Sequence, residues 1–197
     1  MVVLTARRVK TTRAQPDPSD EALESAWRSG SEDAFTALFR RHYPAVVAYA
    51  KRFTSDQAAA EDVVQQAFIN VLQKRTSGSG RFKSLVYTVT RNLALNERRR
   101  RGRKYVASAS LAEHDPAQAG AQSPLSGMVR DEEQAAFEAA VAALPGDVRE
   151  AFCLKETRQL THAEVGKIMG LHADAVRRRV AKGYALIRHH LRTRSLL

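Results

Sequence analysis

The sequence predicts an all-α protein built as two small helical domains joined by a flexible linker, and three observations predict it. Apolar residues recur at three- and four-residue steps through residues 20–101 and again after 129, the spacing of amphipathic helices. No segment shows the strict alternation of a half-buried strand. Between the two helical stretches, residues 103–128 are rich in Ala, Ser, Gly and Pro and lose their period, as tethers do. The expected divisions are a basic tail over 1–20, a first domain over 21–102, the linker over 103–128 and a second domain over 129–197.

In the first domain, Phe35, Leu38 and Phe39, then Val46, Ala50 and Phe53, mark one helical stretch. Pro44 within it is expected to kink or restart the helix, because proline removes a backbone donor and crowds the preceding turn. Val63, Val64, Ala67, Phe68, Val71 and Leu72 form the next apolar stripe. TSGSG, residues 76–80, ends that helix, with glycine available for a left-handed cap. Over 82–101 a helical wheel turns Phe82, Leu85, Val89 and Leu93 inward and puts Tyr87, Arg91 and Arg98 on the opposite face.

The second domain opens with DEEQAAFEAAVAAL, whose acidic first turn suits the helix dipole. It stops at Leu144-Pro145-Gly146, and a helix over about 147–156 follows. Residues 160–191 then read as helix-turn-helix. Thr161 and Glu164 make a capping box, Val165, Ile168 and Met169 face inward, Gly170 turns the chain in a left-handed conformation, and Leu171 plugs the turn. A second helix starts near Ala173, with Val176, Val180, Tyr184, Ile187 and Leu191 inward and Asp174, Arg177, Arg178, Ala181, Lys182 and Arg188 outward.

Charge and composition bound the function. The 197 residues hold 32 Lys+Arg against 21 Asp+Glu, a formal net charge of +11, which favours a polyanionic partner. One cysteine, Cys153, excludes a disulfide framework and a thiolate-rich zinc site and fits a reducing compartment. The histidines follow no recognised ligand spacing, so no metal or other cofactor is expected. No apolar run is long enough to span a membrane, and the N-terminus does not read as a secretory signal. SGSGRFKS lacks the Gly-Lys-Ser/Thr ending of a phosphate-binding loop, so nucleotide hydrolysis is not implied.

Three faces carry chemistry, and each has a plainer reading beside it. The outward face of the last helix is basic, and in helix-turn-helix proteins the second helix enters the major groove, where arginine pairs bidentately with guanine; a helical hairpin with a solvated basic face has the same pattern. Tyr87 among cations suits an unpaired strand, with bases stacking on the ring and arginines meeting phosphates; a tyrosine packed at a helix edge beside solvated arginines looks alike. Asp62, Gln65, Gln66 and Gln73 surround Ile69 on a nearly uncharged face, as protein interfaces often do; a stray exposed isoleucine is also common.

These pieces in order resemble the bacterial sigma-70 family, in its small extracytoplasmic-function group that keeps only regions 2 and 4. EDAFTALFRRHYPAVVAYAKRF resembles region 2.1, AAAEDVVQQAFINVLQ region 2.2, FKSLVYTVTRNLALNERRR regions 2.3 and 2.4, and the stretch from LPGDVREAF to ALIRHHL region 4. The resemblance implies a non-enzymatic RNA polymerase subunit in the bacterial cytoplasm, associated with the nucleoid. Its partners would be core polymerase (β′ clamp helices and β flap), promoter DNA and an anti-sigma factor. It implies polymerase contact for Asp62, Gln65, Gln66, Ile69 and Asn70. Recognition and melting of the −10 element would fall on Phe82, Lys83, Ser84, Tyr87, Arg91, Asn92, Asn96 and Arg98. The −35 element would be read by His172, Asp174, Ala175, Arg177, Arg178, Arg179 and Lys182.

Some positions depart from the family pattern. Leu85 stands where many members have Trp, and Ala173-Asp174-Ala175-Val176-Arg177 replaces a common small-Gly-Thr-Val-Lys run, so the promoter sequence does not transfer. Gly166 stands in place of a usual Ala and is expected to fit at a helix-propensity cost of up to about 1 kcal/mol. Two rival functions share many of these features: a helix-turn-helix regulator that binds duplex DNA alone, and a sigma mimic that binds only an anti-sigma factor.

Overall fold

The computed structural model of the chain describes residues 17–73, 81–108 and 130–193, with side chains described except at 102–108 and 130–133. The described residues form helices and no strand. The expected N-terminal tail up to residue 16, the TSGSG cap and the linker from 109 onward lie outside them.

The first unit holds α1 (Asp20–Arg28), α2 (Glu32–Ala50), α3 (Gln57–Gln73) and α4 (Phe82–Ser108). Each of the first three starts on a side-chain cap: Ser19 accepts from the Ala22 N–H, Ser31 from Ala34, and Asp56 from Ala59, satisfying donors a helix start leaves open. Pro44 neither ends nor restarts α2, which runs through it. The burial of Leu38, Val46, Val47, Tyr49 and Ala50 on this helix offsets the backbone bond that proline removes. The core is aromatic: Trp27 meets Phe82 edge-on at 5.2 Å and Phe39 meets Phe68 at 4.8 Å.

The second unit holds α5 (Arg130–Ala142), α6 (Gly146–Phe152), α7 (His162–Met169) and α8 (Ala173–Thr193). α6 widens into a π-helical turn over Cys153–Thr157. The turn between α7 and α8 forms as its residues dictate. Thr161 and Glu164 close the capping box, and Gly170 takes φ 70° at the end of α7. Gly166 is more than tolerated: a Cβ there would lie 2.5 Å from the Leu171 carbonyl oxygen, so glycine is what lets the turn double back so tightly.

Three apolar assignments change. Leu72 is 43% exposed and leaves the α3 stripe, because α4 covers the stripe only around Val64, Ala67, Phe68 and Val71. Tyr184 is 47% exposed, its ring resting edge-on against Phe152, while Gly183 takes the buried place opposite that ring. The largest change concerns α4. Val86, Tyr87, Thr90 and Ala94 are buried, whereas Leu85, Val89 and Leu93 are half-buried. A wheel with one inward face fails here because α4 packs on α2 and α3 from one side and on α7 from another. α4 also continues to Ser108, six residues into the stretch expected as linker, since RKYVAS contains no helix breaker.

No helix of the described residues is long and apolar enough to cross a membrane.

Candidate functional site

α4 carries the residues expected to meet the −10 element, and the structure sorts them into two groups. Asn92, Asn96 and Arg98 are exposed along the second half of the helix, and Lys83 is half-buried near its start. Phe82, Ser84 and Tyr87 are buried. Phe82 is a core residue of the first unit, wedged among Trp27, Phe35, Phe68 and His42, so its ring is not presented to a base. Ser84, 6% exposed, offers no surface either. Tyr87 is 1% exposed, stacks edge-on with Tyr49 at 5.1 Å and has a hydroxyl with no hydrogen-bond partner. Burial pushes that hydroxyl up to about 12, so it stays protonated.

Arg91 is tied down rather than free. Its Nε–H donates to Glu150 Oε1 at 2.8 Å, and the Tyr49 hydroxyl donates to the same oxygen at 2.7 Å. Glu150 belongs to α6, so a carboxylate of the second unit holds two donors of the first. Burial works to lower the Arg91 pKa, but the Glu150 bond and charge outweigh it and hold the guanidinium charged. Burial, then the Glu150 charge, pushes the Tyr49 hydroxyl far up. Tyr49 and Glu150 carry no local signature in the sequence. The available hint was that Tyr87, Ala94 and Leu95 lie off the Phe82, Leu85, Val89 and Leu93 stripe, so apolar residues occupy more than one side of the helix.

The basic face of α8 stands clear of the body. His172, Asp174, Arg177, Arg178 and Lys182 are exposed, and Ala175 is half-buried. Arg177 pairs with Asp174 at 2.6 Å. Arg178 and Lys182 make no ion pair among the described residues. Arg179 is a correction: its Nε donates to Asp147 of α6 at 2.9 Å and a terminal N–H to the Ala175 carbonyl. The side chain therefore braces α8 against α6 instead of reaching outward.

On α3, Asp62, Gln65, Gln66 and Ile69 are exposed and Asn70 is half-buried. Ile69 is 48% exposed, and Leu72, one helical turn on, extends the apolar patch. Gln66 donates to Asn70 at 2.9 Å, ordering the polar border. Leu72 was missed because its four-residue step from Phe68 also fits an inward stripe. Among the described residues no group of three His, Cys, Asp or Glu side chains could hold a metal.

Comparison with known proteins gives the family. The model of sigma-70 region 2 matches residues 38–104, and that of sigma-70 region 4 matches residues 134–187. The ECF RNA polymerase sigma factor SigE of Mycolicibacterium smegmatis is 30% identical over 183 residues, covering 89% of this chain and 70% of that protein. RNA polymerase sigma-H factor of Pseudomonas aeruginosa is 29% identical over 169 residues, covering 82% and 88%. Among solved structures, sigma factor RpoE in complex with the anti-sigma factor NepR, from Bartonella quintana, superposes with a TM-score of 0.60 at 25% identity over 80% of this chain and 96% of that one. Two region models in the family's order and a relative matched along most of its length make the chain a member of the sigma-70 family, an ECF RNA polymerase sigma factor.

Proposed function

We propose that this chain binds core RNA polymerase through the α3 face, reads a −10 element with α4 and a −35 element with α8, and opens the DNA strands by capturing the unpaired state. Two faces on one chain support the reading: an exposed, nearly uncharged patch around Ile69 and Leu72, and a separate basic face with Arg178 and Lys182 unpaired by described residues. A regulator acting alone on duplex DNA has use for the second but not for the first.

The chemistry is binding without bond-making. Each DNA reader alone is modest; polymerase fixes their separation, so the second contact forms at high effective concentration. Strand opening follows because a flipped base held by α4 shifts the population toward the melted duplex. Asn92, Asn96 and Arg98, exposed on α4, meet that strand directly. In the −35 element, Arg178 is the best placed to pair with a base edge and Lys182 with phosphate. An anti-sigma factor holds the protein inactive until needed, a reading supported by the complex in which the similar RpoE was solved.

Transcription from a randomised promoter library with purified core polymerase tests the whole reading. Promoter-dependent transcripts with two shared elements are expected. Their absence, together with failure of the chain to be retained by the β′ subunit in a pull-down, would leave the sigma mimic as the better account.

A further inference from the structure

We infer that α1 belongs to the −10 reader, with Glu24 as the positioning residue that fixes the first turn of α4, and Lys83 on it, for the unpaired strand. This rests on the reading that α4 meets that strand. The region 2 match begins at residue 38, so α1 lies ahead of it.

α4 is poorly equipped to start by itself. α1, α2 and α3 each have a side-chain cap close in sequence. Before α4 stands Arg81, whose carbonyl accepts from the Leu85 N–H at 3.0 Å but whose guanidinium has no acceptor to offer. The first turn of α4 holds no acidic residue. Its second residue is Lys83, a cation at the positive end of the helix dipole.

α1 supplies what is lacking. Glu24 Oε2 accepts from the Phe82 N–H at 2.9 Å, across 58 residues of chain, and so satisfies a donor that a helix start leaves open. Arg28 holds the other oxygen of the same carboxylate: its Nε and a terminal nitrogen donate to Glu24 Oε1 at 3.2 and 2.8 Å. Trp27, also on α1, meets the Phe82 ring edge-on. Asp20 lies one turn before Glu24 and adds a second negative charge at this end of α4. Burial works to raise the Asp20 pKa, but the Arg41 bond and nearby positive charges, Lys83 among them, hold it below the ordinary carboxylate value.

Phe82 itself is 1% exposed and offers nothing to a base. Its backbone, however, is where α4 begins, and Lys83 follows it directly. The bond from α1 therefore sets the point from which Lys83 reaches outward. Contact residues read well only when held from behind by groups of this kind.

Two measurements on the full-length chain test this. The first is amide exchange at Phe82 in the free chain, which Glu24→Ala should speed. The second is transcription from a randomised promoter library with purified core polymerase. Glu24→Ala should broaden the −10 preference and leave the −35 preference as it was. Output from the parent chain's best promoter should fall about tenfold, the low end for a hydrogen bond to a charged group. Glu24→Gln keeps an acceptor for the Phe82 N–H and should restore most of the loss. Ser31→Ala removes the α2 cap in the same unit and serves as the control for lost stability; it should leave the −10 preference unchanged. If Glu24→Ala loses its helical circular dichroism, Glu24→Leu, which fills the space without an acceptor, replaces it. An unchanged −10 preference in the Ala and Leu variants overturns the inference. So does a Glu24→Gln chain as impaired as Glu24→Ala, equal broadening by Ser31→Ala, or unaltered exchange at Phe82. A parent chain that yields no promoter-dependent transcript overturns the proposed function and this role with it, whereas a working parent matched by its Glu24 variants overturns this role alone.

Discussion

Gly166→Ala should destabilise the helix-turn-helix, although alanine is the better helix former. The Leu171 N–H donates to the Gly166 carbonyl at 2.8 Å, and an added Cβ at Gly166 would stand 2.5 Å from the Leu171 carbonyl oxygen. Ordinary contact begins at 3.4 Å, so the carbonyl must retreat by roughly 0.9 Å. It is backbone held between the left-handed Gly170 and the start of α8 at Ala173, and no rotamer relieves it. Overpacking of this kind costs about 1–3 kcal/mol, and rigid backbone puts this site in the upper half of that range. Replacing helical glycine with alanine returns about 1 kcal/mol. The balance is a loss of about 1–2 kcal/mol. Urea unfolding followed by circular dichroism should show a midpoint lowered by about 0.5–1 M with an unchanged slope. Because α8 hangs on this turn, affinity for −35 duplex should fall as well. A midpoint equal to or above that of the parent chain would refute the reasoning, and would mean that the turn relaxes at no cost.

Arg178→Ala should weaken −35 binding by about 1–3 kcal/mol and relax preference at one base position; an unchanged footprint would remove Arg178 from the groove. Arg179→Ala should instead keep the sequence preference and lower stability, since its guanidinium faces Asp147; a changed base preference in binding selections would contradict that. Ile69→Glu should cost about 2 kcal/mol or more of core-polymerase affinity, as at a desolvated hot spot, and leave −35 binding by the second unit intact; normal core affinity in a titration would rule the patch out. His42 is buried beside Phe82, with Nε2 at 3.0 Å from Asp20. Burial lowers its pKa although the Asp20 charge pulls the other way. The folded state thus disfavours protonation, so the stability this group contributes is full above about 6.5, its unfolded value. That contribution is lost as pH falls below 6.5 toward the folded pKa. His42→Gln should flatten the slope of stability against pH in that window, and an unchanged slope in denaturation series would show that another group dominates.

Local chemistry was legible in the sequence. The Thr161–Glu164 box, the Gly170 turn and the outward set on α8 each depend on residues within a few positions of one another, and each forms as read. The α3 face around Ile69 was legible for the same reason, up to Leu72. What escaped was long-range. α4 serves two interiors, and a helical wheel has no way to assign a second one; hence Tyr87 was expected outside and lies inside. The Glu150 clasp joins residues with no periodic relation, and nothing in GDVREAF sets this glutamate apart from a solvated one. Gly166 looked like a small departure from a family habit, because a backbone approach from Leu171 is invisible until the turn is built.

The burial of one tyrosine between two interiors has a consequence for modular engineering. Sigma domains invite exchange, yet a graft that takes α4 from this chain and α6–α7 from another would pair Arg91 and Tyr49 with a foreign surface lacking their acceptor. Such hybrids would inherit a sticky, half-solvated wall on each parent piece. Swaps that carry α4 and α6–α7 together keep the wall matched, so the natural unit of exchange here is the pair of faces and not the separate regions.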